Sequence, residues 1–218
     1  MKILNRRDFV RLGVLLAGIF VLPSCDKKNS GKNIVTVDKE VIDSQQKMSD
    51  ELEVNRAMPR ELVYQLLDQK AEKYMNISFN CAQSSYLALE EQFGLDGGQV
   101  LKALTPLTGI AERGETCGAV IGPLMVMGLL YGRGRGQLQD WKAYRDSLVP
   151  TGKFCKQFED KYGSTMCSDI QTVKYGRCFK LKDPVDLKAF QSAGATEKCT
   201  KVVQSALHMA ADIILDES

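Results

Sequence analysis

Three features of the sequence predict an all-α fold. Apolar residues recur three and four positions apart in successive segments, as along Leu62, Val63, Leu66, Leu67 and Ala71. No segment of the body alternates apolar and polar residues over the length of a strand. One run, Cys117 to Tyr131, is apolar nearly all round, which suits a helix buried at the centre of a bundle. The expected architecture is a compact bundle of unequal helices around that central apolar helix, at about 117–131.

The 218 residues divide into three parts. Residues 1–24 read as an export signal. Asn5-Arg6-Arg7-Asp8-Phe9 carries the paired arginines and hydrophobe of a twin-arginine motif, and the apolar run Leu12 to Leu22 is too short to span a membrane. Leu22-Pro23-Ser24-Cys25 reads as a lipobox with Cys25 as the lipidated residue. The expected location is the extracytoplasmic face of the cytoplasmic membrane, with the body tethered by lipid or by the signal itself. Residues 1–24 hold Lys2, Arg6, Arg7, Arg11 and Asp8, so removing them takes the formal charge from +2 to −1. That balance carries no signature of a nucleic-acid partner. Residues 25–58 are polar and weakly patterned and read as a flexible linker. The domain proper is 59–218.

Within the domain, Pro59 suits the first position of a helix that runs to about Met75. Asn80 is a capping residue for a second helix, Cys81 to about Phe93, which Gly94 ends. A short helix, Gln99 to Leu104, stops at Pro106. Thr116 is the expected cap of the central helix, with Cys117 in its first turn and Gly118, Ala119 and Gly122 beside it. Residues 137–162 read as helical with a break at Pro150-Thr151-Gly152. Ser164 or Thr165 caps a short helix holding Cys167 and Ile170, and a loop with Cys178 follows. A helix from Pro184 to Phe190 comes next. Thr196 is the expected cap of the last helix, whose apolar side runs from Val202 to Ile214.

Chemistry in this sequence resides in cysteine. There are seven, at 25, 81, 117, 155, 167, 178 and 199, against a single histidine, His208. No Cys-x-x-Cys occurs, which disfavours thioredoxin-type chemistry, zinc ribbons and ferredoxin loops, and no Cys-x-x-Cys-His marks haem attachment. With one histidine, Cys–His or Ser–His catalysis has little support. Cys81, Cys117, Cys167 and Cys199 each fall in the first turn of an expected helix. Helix N-termini present unpaired N–H groups and positive dipole ends, which favour thiolates. Four such ends meeting at one point suit a thiolate cluster or a set of reactive thiols. If they do not meet, the four are small core residues behind ordinary caps.

The same residues carry a family resemblance. Asn80-Cys81-Ala82-Gln83, then Cys117-Gly118-Ala119-x-x-Gly122, then Cys167 after Gly163-Ser164, then Cys199 in the final helix resemble the C_GCAxxG_C_C family of redox-active proteins. The likeness spans about Glu61 to Ile214. It implies redox activity and a site at Cys81, Cys117, Cys167 and Cys199, with an iron–sulfur cluster or another metal as cofactor. A related domain occurs in some multihaem cytochromes, but this chain has no haem motif, so haem does not carry over. Cys155 and Cys178 lie outside the pattern. They are candidates for a disulfide with one another, or one for a substitute ligand.

Three functions are therefore expected, in this order. The first is electron transfer or redox sensing through a cluster on the four cysteines, with a redox partner protein. A cluster shared between two copies would make the protein a homo-oligomer. Zinc on the same cysteines would instead be structural. The second is a metal-free thiol/disulfide redox protein. The third is a disulfide-stabilised lipoprotein that acts as an interaction module.

Overall fold

The computed structural model describes residues 30–216, and among them it contains ten helices and no strand. The chain divides into a unit of residues 1–40 and a unit of residues 41–218. The second holds the core and every feature discussed below. Residues 1–29, with the expected export signal and Cys25, lie outside the described residues.

The first helix corrects the sequence reading. Residues 25–58 were expected to form a linker, but α1 runs Ser30–Ala57. Two facts explain it. No glycine or proline occurs between Lys32 and Met58 to interrupt a helix. From position 48 onward the helix also finds a surface: Met48 and Leu52 pack against the core and Asn55 is buried. The Asn55 amide donates to the Gln92 carbonyl and accepts from Gln92 Nε2, which ties the end of α1 to the middle of the domain.

The bundle is built from α2 (Arg60–Ser78), α3 (Cys81–Phe93), α6 (Gly118–Tyr131) and α10 (Ala195–Asp216). α3 packs between α2 and α6, α10 touches all three, and α7 (Trp141–Tyr162) closes the side formed by α6 and α10. The inward face of α2 is Val63, Leu67, Ala71 and Met75, a row at four-residue spacing. Leu207, Ile213 and Ile214 of α10 and Phe154 and Phe158 of α7 fill the centre with fully buried side chains. α6 lies within the bundle as expected, but one of its sides reaches the surface at Met125 and Leu129.

Two glycines set the closest helix contact. A Cβ placed on Gly122 would stand 2.0 Å from Ser85 Oγ and 2.7 Å from Tyr86 N. One on Gly118 would stand 2.4 Å from Cys81 Sγ and 2.5 Å from Ala82 N. The spacing Gly118-x-x-x-Gly122 puts both on one face of α6, so the α3 backbone lies directly against it. Ser85 Oγ donates to the Cys81 carbonyl and lies 3.2 Å from the Gly118 carbonyl, so its hydroxyl is satisfied inside this contact.

The predicted break in α7 does not occur. Pro150 is buried on the same inward face as Phe154 and Phe158, four and eight residues on. Packing of that face carries the helix on past the hydrogen bond that proline cannot make. The shorter elements line one end of the bundle. They are α4 (Gly98–Ala103), a 3₁₀ turn at Thr105–Leu107, α5 (Gly109–Glu112), α8 (Cys167–Tyr175) and α9 (Pro184–Ser192).

Candidate functional site

Cys81 opens α3 as expected. Asn80 is the N-cap, and its side-chain oxygen accepts from the N–H groups of Ala82 and Gln83 at 3.1 and 3.0 Å. The other end of the same amide donates to the Thr105 carbonyl, and its oxygen also accepts from Thr108 Oγ1 at 2.7 Å. One side chain therefore fixes the start of α3 and the loop that covers it.

Cys117 and Cys167 are brought together by backbone pairing that the sequence pattern did not reveal. The segments Gly114–Cys117 and Thr165–Ser168 run antiparallel, with a bridge between Thr116 and Met166. Cys117 N–H donates to the Thr165 carbonyl, Cys167 N–H to the Glu115 carbonyl and Ser168 N–H to the Gly114 carbonyl, at 2.8–2.9 Å. This pairing displaces the expected caps. Thr116 is in the bridge, so Cys117 itself is the N-cap of α6, with extended φ and ψ. Met166 precedes α8, and Cys167 is its first residue. Cys199 is also shifted. α10 begins at Ala195 behind Gly194, whose φ is +79°, so Thr196 is inside the helix and Cys199 lies one full turn in. The expectation of four cysteines in four first turns is thus met by Cys81 and Cys167. Cys117 is a cap and Cys199 is deeper.

The loop ahead of Cys117 has an unusual backbone. Gly109, Ile110, Ala111 and Glu112, the four residues of α5, all have φ between +47° and +60°. Glu112 N–H donates to the Thr108 carbonyl and Arg113 N–H to the Gly109 carbonyl, so this is one turn of left-handed helix. Such a turn costs about 1–2 kcal/mol for each residue with a Cβ. Gly109 is where it meets the site: a Cβ there would lie 3.5–3.6 Å from the Cys167 side chain.

The four sulfurs face one cavity of about 270 Å³. Cys81 and Cys117 are buried at its floor, and Cys167 and Cys199 are half-buried on its walls. Cys117 is the hydrogen-bonding neighbour of both Cys81 and Cys167. Cys199 stands apart but feels the charge of Cys81 and Cys167. Polar side chains serve three of the sulfurs. Gln171 Nε2 donates to Cys167 Sγ at 3.3 Å, Tyr175 Oη is 3.6 Å from Cys199 Sγ, and the Thr108 hydroxyl lies between Asn80 and Cys81. Among the described residues, no three His, Cys, Asp or Glu side chains gather closely enough for a single metal ion.

Electrostatics separate the four thiols. The hydrogen bond from Cys117 pulls Cys167 down to about 7, helped by Gln171 and opposed by burial. The same donor draws Cys81 below the ordinary thiol value. Cys117, whose one S–H lies between the two, is held protonated well above that value. Burial, then the charge of Cys81, pushes Cys199 up to about 12. In the metal-free reduced state the flanking sulfurs therefore ionise first and the central one keeps its proton.

The remaining candidates lie elsewhere. Cys155 is on α7 and Cys178 is exposed in the loop after α8, and neither is disulfide-bonded. His208 stacks on Tyr64 and bonds Asp68 Oδ1 at 2.8 Å, a contact between α10 and α2. Thr108, Gln171 and Tyr175 were not singled out from sequence. For Gln171 the signal was available, because it is one helical turn beyond Cys167 and on the same face.

The family model described as "Putative redox-active protein (C_GCAxxG_C_C)" matches residues 79–213. No curated protein and no solved structure matches the chain. The matched span runs from the loop before Cys81 to beyond Cys199, takes in all four cysteines that face the cavity, and covers more than half of the chain. On that match, the chain belongs to the C_GCAxxG_C_C family of redox-active proteins.

Proposed function

We propose that the four-cysteine cavity is the protein's redox centre and that Cys81, Cys117, Cys167 and Cys199 hold an iron–sulfur cluster there. The observation that carries this reading is that four sulfurs from α3, α6, α8 and α10 line one largely apolar cavity. The donor set is four cysteines, the ligand set of the common [2Fe–2S] and [4Fe–4S] clusters. A multinuclear cluster takes its thiolates on different irons and exchanges electrons, whereas zinc on the same four sulfurs would be a closed structural site. When bound, the cluster would supply one-electron exchange, for electron transfer or redox sensing.

The chain's own groups would orient and tune the site. Gln171 and Tyr175 supply N–H and O–H donors at two sulfurs, and such donors shift a cluster's potential. The Asn80 cap and the glycine contact fix Cys81 against α6. The apolar wall limits water around the sulfurs. We further propose that residues 1–24 export the protein and that Cys25 tethers it to the membrane through lipid, where it exchanges electrons with a partner protein.

The test is anaerobic purification with a visible spectrum before and after reductant, together with iron, sulfide, zinc and free-thiol assays. Broad absorption that bleaches, with stoichiometric iron and sulfide, is the expected result. Cys117→Ser should abolish it and Cys155→Ser should leave it intact. A colourless, iron-free protein would sink the cluster.

A second reading is favoured by one contact. Cys117 neighbours both Cys81 and Cys167, so the central thiol has two partners with which to form a disulfide. In that case two thiols give up two electrons and two protons to a partner's disulfide. Iron-free protein in which mild oxidant consumes two thiols, one of them Cys117, would support it.

A further inference from the structure

The cysteines account for the floor of the cavity but not for its outer half. There the wall is α9 together with Phe79, and both have features that packing alone does not explain. α9 buries none of its residues; Leu187, Phe190 and Gln191 on its inner face line the cavity, and Phe190 is held there against Tyr175 and Phe179 at 5.3 Å between ring centres. Phe79 is 72% exposed at the mouth and has φ +52°, a left-handed conformation that a Cβ disfavours. A glycine or asparagine would end α2 there at lower cost.

The mouth also holds two lysines. Lys174 and Lys198 line it, and neither has a carboxylate partner among the described residues. Their contacts are aromatic faces, with Lys198 Nζ 4.6 Å from the centre of the Tyr175 ring and Lys174 Nζ 5.4 Å from that of Tyr162. Among the described residues that line the cavity, Glu112 is the one carboxylate against these two lysines.

We propose that the outer cavity is a binding site for a small flat organic anion, with a body of one or two rings and a carboxylate. The body lies between Phe79 and the Leu187–Phe190 face of α9, and the carboxylate meets Lys174 and Lys198. Size follows from the volume. A dry cavity of about 150 Å³ holds benzene, so about 270 Å³ takes two rings when the cysteine end is empty and one when a cluster fills it. The ligand reaches the sulfurs directly, because Cys167 and Cys199 are in the same wall. The site does not depend on a cluster.

The probe is 2-naphthoate, followed by its fluorescence on metal-free reduced protein, with 2-naphthalenemethanol as the neutral isostere. Saturable binding is expected, with the alcohol at least threefold weaker. Phe79→Gly removes the ring while easing the backbone, so it should leave the fold intact and weaken naphthoate at least threefold. Lys174→Gln with Lys198→Gln should abolish the preference for the acid over the alcohol. Absence of saturation at millimolar naphthoate, or binding indifferent to both variants, overturns the proposal. Iron and sulfide are assayed on as-isolated protein in parallel. Iron without naphthoate binding removes only this site, and naphthoate binding without iron removes only the cluster.

Discussion

The contact between α3 and α6 can be tested with three alanines on one helix. At Gly122 a Cβ would be 2.0 Å from Ser85 Oγ, 2.7 Å from Tyr86 N and 2.8 Å from the Ala82 carbonyl oxygen. Two of those atoms are backbone, so a rotamer change cannot relieve the clash, and α3 must move away by about 1 Å. Overpacking of this kind costs up to about 3 kcal/mol. Alanine's better helix propensity returns about 1 kcal/mol. The net loss for Gly122→Ala is about 2 kcal/mol, which lowers Tm by roughly 4–8 °C in a domain of this size. Gly118→Ala meets Cys81 Sγ at 2.4 Å and Ala82 N at 2.5 Å, so a similar loss is expected, accompanied by displacement of the Cys81 sulfur. Gly128→Ala is the control. It is on the same helix with nothing within 4 Å of the new Cβ, so it should stabilise by up to about 1 kcal/mol. Thermal unfolding by circular dichroism reads all three, and thiol reactivity or iron content separates Gly118→Ala from Gly122→Ala. Equal Tm values for the Gly122 and Gly128 variants would refute the close-contact account.

Three further outcomes are expected. Asn80→Ala removes a cap that accepts from Ala82 N, Gln83 N and Thr108 Oγ1, and should cost about 1–2 kcal/mol in urea unfolding, with increased alkylation of Cys81. In metal-free reduced protein the Cys167 thiolate exists above its depressed pKa, so its iodoacetamide rate should rise with pH through about 7, while Cys155, raised by burial, should respond only above the ordinary thiol range. Peptide mass spectrometry resolves the two, and Gln171→Leu should move the Cys167 midpoint upward. Asn55→Leu strands the Gln92 amide inside the α1–α3 contact and should destabilise by roughly 1–3 kcal/mol, which an α1 that did not dock would not show.

Local pattern and long-range pairing were not equally visible in the sequence. α2 and α10 were legible because their apolar residues repeat at helical spacing, and Asn80 because a cap acts on neighbours two and three residues away. Thr116 was misread because a partner fifty residues on, Met166, claims it for a bridge. Cys199 was placed at the third position of its helix and is the fifth, because Gly194, in its left-handed conformation, precedes α10 and leaves Thr196 inside it. α1 was missed because its polar surface resembles a linker and its few inward residues are too sparse to show a period. Thr108 and Tyr175 matter only through where the fold points them, which composition does not encode.

The short pairing of Gly114–Cys117 with Thr165–Ser168 divides the protein's labour. Cys81 and Cys199 are carried by the bundle helices α3 and α10 and Cys117 caps α6, and Cys81 and Cys117 are themselves part of the core these helices share. Cys167 and its donor Gln171 arrive on α8, joined to the rest of the site through three backbone hydrogen bonds. The bundle thus presents three of the four cysteines, and α8 presents the fourth across a short backbone pairing and the buried Ile170. Local opening of that pairing would uncover Cys167 at lower cost than unfolding of the bundle.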